Sequence, residues 1–211
     1  MAASSSSEEG RGFEYDVFLS FRGEDTRKGF TGHLYYAMEE KGIHTFMDDE
    51  KLDKGESIKQ LLGCIEKSKI FVPIFSKRFA ESRWCLMEVA MMVQCQRLII
   101  PVFFDVKPTH VRNQSGPFEA AFESHEKNKH LSKRTLQEWR DALRTVGEIS
   151  GYVLETDTDG MHVLQVKNLA GGEAADQPLI KVFRTPFNTF LLKQRIPLGE
   201  FPSEALKLLS C

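Results

Sequence analysis

The run Tyr15–Phe21, with the sequence YDVFLSF, constrains the fold of this chain more than any other segment. It is rich in β-branched and aromatic residues, and it stays apolar on both faces through its middle. A strand of this kind is typical of a parallel sheet, in which helices cover both faces. We therefore expect residues 15–21 to form a central strand of an α/β domain.

The strand is followed at once by a charged segment, RGEDTR, at residues 22–27. Asp25 and Thr26 are residue types that cap helices, so a helix is predicted to begin here. Arg22 and Arg27 then place two guanidinium groups beside a helix N-terminus, where an anion can bind. Both arginines could equally be solvated or ion-paired surface residues.

The rest of the chain alternates between helical and strand patterns. Apolar residues recur at helical spacing over residues 26–41 and predict a first helix, which ends at Gly42. Such alternation implies right-handed crossovers and a parallel sheet with helices on both faces. Further strands are predicted at residues 43–47, 70–75, 98–104 and 151–154, and further helices from Ser57, along 86–93, at 117–127 and along 136–146.

The simplest architecture for these elements is a flavodoxin-like α/β three-layer sandwich, with a five-stranded parallel sheet in the order 2-1-3-4-5. In this order the third strand is central, where its Pro73 is unusual because proline cannot donate a hydrogen bond to a neighbouring strand. A polar loop that contains Pro108 is expected after the fourth strand. We expect the sheet core to contain Val17, Phe18, Leu19, Ile70, Val72, Ile74, Ile99, Ile100 and Val102.

Composition limits the classes of protein to which the chain can belong. Its 211 residues, 41% hydrophobic and 27% charged, are typical of one soluble domain with an appendage. A net charge of −2 gives no general attraction to nucleic acid or to an anionic membrane. No segment resembles a signal peptide or a membrane span, so we expect a cytoplasmic chain that could also enter the nucleus. The cysteines and histidines lack metal-ligand spacing, and no metal site is expected.

The ligand crevice of such a sheet lies where strands 1 and 3 diverge, at their carboxyl ends. The loops at residues 22–27 and 76–83 border this crevice, and the second leads into Trp84 and Glu88. Arginine, an aromatic plane and a carboxylate could hold a phosphate, stack on a base or nicotinamide ring and place negative charge near a sugar. On general grounds, Trp84 is more often a packing residue, and Glu88 more often a solvated helix residue.

Several common catalytic classes are excluded by missing motifs. The chain has no Walker A sequence and no GxGxxG loop, so it is neither an ordinary P-loop NTPase nor a Rossmann enzyme. It also lacks a GxSxG elbow and a credible pair of nucleophilic cysteine and histidine. The charged loop at residues 48–56 is long enough to do more than connect two elements, although such a loop is usually a solvated turn.

Five sequence blocks occur in an order that is typical of one family. They are YDVFLSFRGEDTR, GIHTF with the DD that follows, SRWCLMEV, IIPVFFDVKPTHVR and the tryptophan block at residues 139–146. Together they closely resemble the TIR (Toll/interleukin-1 receptor) domain of plant immune receptors, over residues 13–155. The resemblance implies a flavodoxin-like fold and NAD(P)+ nucleohydrolase activity on self-association, which produces signalling nucleotides in innate immunity. NAD+ or NADP+ is then the substrate, and no separate cofactor is implied.

The resemblance also assigns roles to single residues. The family's catalytic glutamate matches Glu88, and residues that line its nucleotide groove match Arg22, Arg27, Ser82 and Trp84. The loop that gates the groove corresponds to residues 48–56, which include Asp48, Asp49, Lys54 and Gly55. Two departures bear on nucleotide affinity or loop docking: Met47, where many relatives carry arginine, and Asp53, where some carry a base.

Self-association in the family uses the first and last helices, and the matching place on the first helix holds Gly32 and His33. Glycine would let a partner backbone approach closely, while histidine could stack or hydrogen-bond with its mate. The partners implied are further copies of the chain or other TIR domains. A non-catalytic module that joins receptor assemblies is the alternative function. Activity on nucleic acid or cyclic nucleotides is a third, which the near-neutral charge does not favour.

Both ends of the chain lie outside the resemblance. Residues 1–12 contain almost no apolar side chains and are expected to be disordered. Residues 156–211 contain apolar runs broken by glycine and proline, and we expect a loosely packed extension that docks on the domain or stays mobile. Relatives continue toward a nucleotide-binding domain and leucine-rich repeats. This chain has neither length nor motif for them, so a truncated or TIR-only form is expected.

Overall fold

The structure is a computed structural model, and it describes residues 12–47, 57–156 and 162–165. Helices and strands alternate along these residues, as the sequence predicts. The strands are β1 (Tyr15–Phe21), β2 (Thr45–Met47), β3 (Ser68–Phe75), β4 (Leu98–Ile99), β5 (Val102–Phe104), β6 (Tyr152–Thr156) and β7 (His162–Gln165). The helices are α1 (Gly23–Thr26), a π-helical segment (Arg27–Thr31), α2 (Gly32–Glu39), α3 (Ser57–Glu66), a 3₁₀ turn (Phe79–Glu81), α4 (Arg83–Gln94), α5 (Pro108–Asn113), α6 (Pro117–Lys127) and α7 (Lys133–Glu148).

The strands form one sheet whose order confirms the prediction. The parallel part runs β2-β1-β3-β5-β6. β4 pairs with the first half of β3, on the side where β5 pairs with its last residues. Because β4 and β5 together are the predicted fourth strand, and β6 is the fifth, this is the order 2-1-3-4-5. β7 adds an antiparallel strand on β6, from a segment that was predicted to be an extension. The domain boundary at residue 155 stays a prediction, and residues 1–11 and 166–211 lie outside the described part.

β3 is a central strand although it contains Pro73, with β1 on one side and β4 and β5 on the other. On the second side, Phe71 pairs with Ile99 of β4, and the next pair along β3 is Ile74 with Val102 of β5. Pro73 lies in the stretch that is skipped, and Pro101 interrupts the facing strand at the same level. The missing N–H of Pro73 therefore falls at a break that the ladder already contains.

Alternation along β1 assigns its side chains to two hydrophobic clusters, one on each face of the sheet. Val17, Leu19 and Phe21 pack with Phe30 and Leu34 on the face that α2 covers. Phe18 points the other way and packs in the cluster that α3, α4, α6 and α7 complete. Eight of the nine predicted core residues are buried; Ile70 is the exception, being half-buried at the margin of its cluster. The α/β three-layer arrangement is therefore confirmed.

The first helix differs from the prediction at its beginning. It starts at Gly23, with Arg22 at the N-cap, and neither Asp25 nor Thr26 caps it. A non-helical residue, Gly29 at φ −123° and ψ −113°, then breaks the helix inside the π-helical segment. The predicted end is confirmed, because Gly42 has a left-handed φ of 74°, which glycine adopts without steric cost. The polar loop expected around Pro108 is in part helical, since it contains α5.

Candidate functional site

The structure brings most of the predicted site residues to the carboxyl ends of β1 and β3. Arg22 follows β1 directly, and the 3₁₀ turn that follows β3 leads into Ser82 and α4. The side chains of Ser82 and Trp84 lie in the first turn of α4, and Glu88 lies one turn further along. This edge is where ligands bind in open parallel sheets. The two loops that were predicted to border the crevice therefore meet at this edge.

Glu88 is a buried carboxylate with a partner on the sheet. Only 6% of its surface is exposed, in contrast to the solvated helix residue that general statistics favour. Its Oε2 atom accepts a hydrogen bond of 2.5 Å from the hydroxyl of Ser20, which is 1% exposed. A charge of this kind is stable inside a protein only when polar groups surround it. The Ser20 hydroxyl supplies one of them.

Ser20 was not predicted as a site residue. It lies on the same face of β1 as Phe18, toward α4, because side chains alternate along a strand. A polar residue in a strand buried on both faces needs a hydrogen-bond partner, and this is the signal that could have identified it. The partner itself could not be read from the sequence, because 68 positions separate the two residues.

The N-terminus of α4 presents an aromatic side chain to solvent. Ser82 is the N-cap, and its hydroxyl accepts a hydrogen bond of 3.3 Å from the backbone N–H of Cys85. Capping fixes the first turn of the helix and with it Trp84, which is 39% exposed. A large exposed aromatic beside a buried carboxylate is suited to stacking on a planar ligand. Ser82 thus has a structural role, and its expected role in binding stays a prediction.

Arg22 lies in an ion-pair network that joins the loops after β1 and β3. Its guanidinium is 3.1 Å from Glu24, 3.7 Å from Asp25 and 3.2 Å from Glu81. Arg78 contacts the same three carboxylates, and its hydrogen bond to Glu81 raises the pKa of Arg78. The Ser76 hydroxyl also donates to Asp25, over 2.6 Å. Two guanidinium groups thus meet three carboxylates, so the network holds the two loops together and carries an excess of negative charge.

Arg27 is directed onto an aromatic ring. The central carbon of its guanidinium lies 4.9 Å from the ring centre of Phe21, which is the distance of a cation–π contact. Phe21 is the last residue of β1, so the contact fixes the π-helical segment against the strand. The observed contact of Arg27 is therefore a structural one, and its place in a nucleotide groove stays a prediction.

Cys85 lies between Trp84 and Glu88 in the sequence, and its thiol is unreactive. Its Sγ donates to the carbonyl of Phe21 over 3.5 Å, which ties α4 to the end of β1. Burial raises the pKa of the Cys85 thiol, and the negative charge of Glu88 raises it further. A thiol with a raised pKa is a poor nucleophile. Cys85 is therefore a poor candidate for a nucleophile, and the catalytic role of Glu88 stays a prediction.

Two sets of predicted residues lie away from this edge or outside the described part of the chain. Asp48, Asp49, Asp53, Lys54 and Gly55 of the predicted gating loop lie outside the described residues. Met47 ends β2 and is half-buried. On α2, His33 is exposed, while a Cβ added to Gly32 would lie 2.5 Å from the carbonyl oxygen of Arg27. This close fit explains why position 32 holds glycine, without any contact with a partner.

The sheet order and the groups at its carboxyl edge define a flavodoxin-like α/β domain with a candidate site at the crevice between β1 and β3. The sequence model of the TIR domain matches residues 14–167, and the chain belongs to the TIR domain family. The resemblance seen in the sequence blocks is confirmed. Across the described residues, no helix has the length and apolar character needed to cross a membrane.

The chain is similar to plant disease resistance proteins and to TIR domains in a solved structure. The chain is 46% identical to TMV resistance protein N of Nicotiana glutinosa over 156 residues, which are 72% of this chain and 13% of that protein. It is 47% identical to disease resistance protein RPV1 of Vitis rotundifolia, over 68% of this chain and 10% of the relative. The TIR domains of the activated Roq1 resistosome, which directly recognises the pathogen effector XopQ, superpose with a TM-score of 0.61. They are 45% identical, and the match covers 70% of this chain and 92% of theirs.

Proposed function

We propose that this chain is a cytoplasmic NAD(P)+ nucleohydrolase which becomes active when it self-associates. Its reaction produces signalling nucleotides in plant innate immunity. The observation that carries the proposal is the position of Glu88, a buried carboxylate at the ligand-binding edge of the sheet, one turn from the exposed Trp84. The 46% identity to a plant resistance protein supports a role in plant innate immunity. The similarity to TIR domains from an activated resistosome supports self-association.

The chemistry needs only one carboxylate. The nicotinamide of NAD+ is already cationic and leaves as a neutral base with the electron pair of the C–N bond. No general acid has to protonate it, in contrast to ordinary glycoside hydrolysis, which uses two carboxylates. Positive charge then develops at the anomeric carbon, until water adds there and releases a proton to solvent. Glu88 stabilises this charge more strongly in the transition state than in the ground state, which is what accelerates the reaction.

The groups around Glu88 serve the substrate in different ways. Trp84 stacks on a planar part of the nucleotide, because its ring is exposed at the entrance to the crevice. Arg22 fixes the loops rather than the phosphates, since three carboxylates already contact its guanidinium. NAD+ or NADP+ is a substrate in this scheme, and no separate cofactor takes part.

The second candidate is a TIR module that joins receptor assemblies and acts only by binding. The observation in its favour is the network around Arg22, which leaves an excess of carboxylates where a nucleotide phosphate would have to approach. Met47, in place of the arginine of many relatives, points the same way. The two candidates differ in one measurable respect, which is whether the assembled protein breaks the nicotinamide–ribose bond.

The decisive experiment follows nicotinamide release from NAD+ and NADP+ by protein that is concentrated or crowded on a surface. We expect Glu88→Ala to lower the rate about 100-fold or more, the usual loss when an electrostatic stabiliser of a transition state is removed. Glu88→Gln, which keeps the shape and removes the charge, should lose as much. The control is Glu119→Ala, which removes an exposed carboxylate on α6 and should keep the wild-type rate.

Self-association must be measured on the same samples. Sedimentation and circular dichroism establish that the Glu88 variants assemble and fold as the wild type does. If assembled wild-type protein releases no more nicotinamide than Glu88→Ala, the enzyme is excluded and the binding module takes its place.

A further inference from the structure

Ser20 donates a hydrogen bond to Glu88 and has no role in the proposed activity as described above. We infer that Ser20 is a positioning residue for the reaction, which holds the Glu88 carboxylate in its productive orientation. The inference rests on the proposed function and extends it to a residue on a different element. It starts from the 2.5 Å hydrogen bond between the Ser20 hydroxyl and Glu88 Oε2.

The geometry of the bond restricts the carboxylate. Glu88 projects from α4, and its side chain has three rotatable bonds, so the helix alone does not set the direction of its oxygens. Ser20 is the second-last residue of β1, where it is in register with Pro73 of β3, and its neighbours Leu19 and Phe21 are in register with Val72 and Ile74. A hydroxyl held by a central strand is therefore a rigid anchor for a carboxylate on a helix. Fixed supports of this kind keep a catalytic group within the small errors that catalysis tolerates.

The burial of both groups increases the effect of the bond. Ser20 is 1% exposed and Glu88 6% exposed, so water competes little for either. Hydrogen bonds to an ionised group are stronger than neutral ones, and low local dielectric strengthens them further. A carboxylate has about four acceptor sites, so the hydrogen bond from Ser20 does not by itself prevent Glu88 from accepting from a ribose hydroxyl.

Three substitutions of Ser20 separate positioning from packing. Ser20→Ala removes the hydroxyl, Ser20→Cys keeps the volume with only a weak donor, and Ser20→Thr keeps the hydroxyl and adds a methyl group. Positioning predicts that kcat falls about 10-fold or more in the alanine variant, as for loss of a hydrogen bond to a charged group, with KM within about twofold. The cysteine variant should follow alanine, and threonine should recover most of kcat. Packing predicts the opposite order, with threonine the poorest of the three.

A matched control removes a buried hydroxyl far from Glu88. Ser68 begins β3, at the amino end of the sheet, where it is 0% exposed and donates to the carbonyl of Cys64 over 2.7 Å. Ser68→Ala should lose stability comparably to Ser20→Ala and yet keep the wild-type kcat. In a Glu88→Gln background, Ser20→Ala should have no further effect on kcat, because both changes act through one carboxylate.

The outcomes distinguish this inference from the proposed function. Wild-type protein that is active, with Ser20→Ala or Ser20→Cys equal to it in kcat, overturns the role of Ser20 and leaves the enzyme standing. Equal loss of kcat in Ser20→Ala and Ser68→Ala also overturns it, because stability alone then explains the loss. Wild-type protein no more active than Glu88→Ala overturns both.

Discussion

At the scale of single residues, the polar side chains inside apolar surroundings define the site. Trp84 and Glu88 could be placed on one side of a helix from their spacing, because residues four apart are neighbours on a helix. The burial of Glu88 could not, since it depends on tertiary structure, including a hydrogen bond from Ser20 of β1, 68 positions away. Statistics on isolated residue types favour a solvated glutamate, and tertiary structure decides against them here.

Arg22 is expected to stabilise the fold through its three carboxylate partners. Its side chain is 16% exposed, so its ion pairs are screened less than those on the surface. We expect Arg22→Ala to lower the free energy of unfolding by about 1–3 kcal/mol, between the values for exposed and buried pairs. Urea denaturation followed by circular dichroism measures the change.

The matching control for Arg22 is Arg134 on α7. Its side chain is 89% exposed and lies 2.9 Å from Glu138, one turn along the same helix. Arg134→Ala should change the free energy of unfolding by less than about 0.5 kcal/mol. Similar losses in both variants would show that the network after β1 is no stronger than an ordinary surface ion pair.

At the scale of helices and strands, a residue of the capping type caps a helix where its side-chain oxygen is not engaged elsewhere. Ser82 caps α4, and Ser132 caps α7, each through its own side chain. At the start of α1, Asp25 instead accepts from Ser76, 51 positions away, and Thr26 accepts from Thr31. A cap predicted from residue type fails when another element claims the same oxygen.

Two glycines in helices predict opposite effects of the same substitution. A Cβ added to Gly147 in α7 would lie 2.7 Å from the backbone nitrogen of Arg112 in α5, whereas one added to Gly63 in α3 meets nothing within 4 Å. We expect Gly147→Ala to lower the free energy of unfolding by about 1–3 kcal/mol through overpacking. Gly63→Ala should raise it by about 0.5–1 kcal/mol through helix propensity.

Urea denaturation of the two variants side by side checks this pair. Because backbone atoms of α5 cannot move aside as the end of a long side chain can, the two helices would have to separate to admit the methyl group. A stability gain in both variants would mean that α5 and α7 pack less closely than the structure has them.

At the scale of the whole molecule, the alternation of patterns was sufficient for the sheet order, because right-handed crossovers leave few topologies for five parallel strands. β7 was not predicted as a strand. Its antiparallel pairing with β6 is a tertiary contact at the sheet edge, and the alternation that identified the parallel strands has no equivalent for it. The division of β4 from β5 was missed for a similar reason, since it depends on Pro73 and Pro101 facing one break.

Self-association is a property of the whole molecule, and it was assigned to Gly32 and His33. The structure shows that these two residues have different surroundings. Gly32 fits closely against the carbonyl of Arg27 in its own chain, so replacing it changes the monomer as well as any interface. His33 is exposed on α2, and its side chain can be removed at little cost to the fold. His33 is therefore the cleaner probe of assembly.

We expect His33→Ala to weaken self-association by about 5-fold or more, in the range for loss of a central interface side chain, while the free energy of unfolding stays within about 0.5 kcal/mol. Sedimentation over a wide concentration range measures the first and urea denaturation the second. The control is His130→Ala, which removes an exposed histidine between α6 and α7 and should sediment as the wild type does. If all three proteins sediment alike while nicotinamide release still depends on crowding, assembly uses another surface than the His33 face of α2.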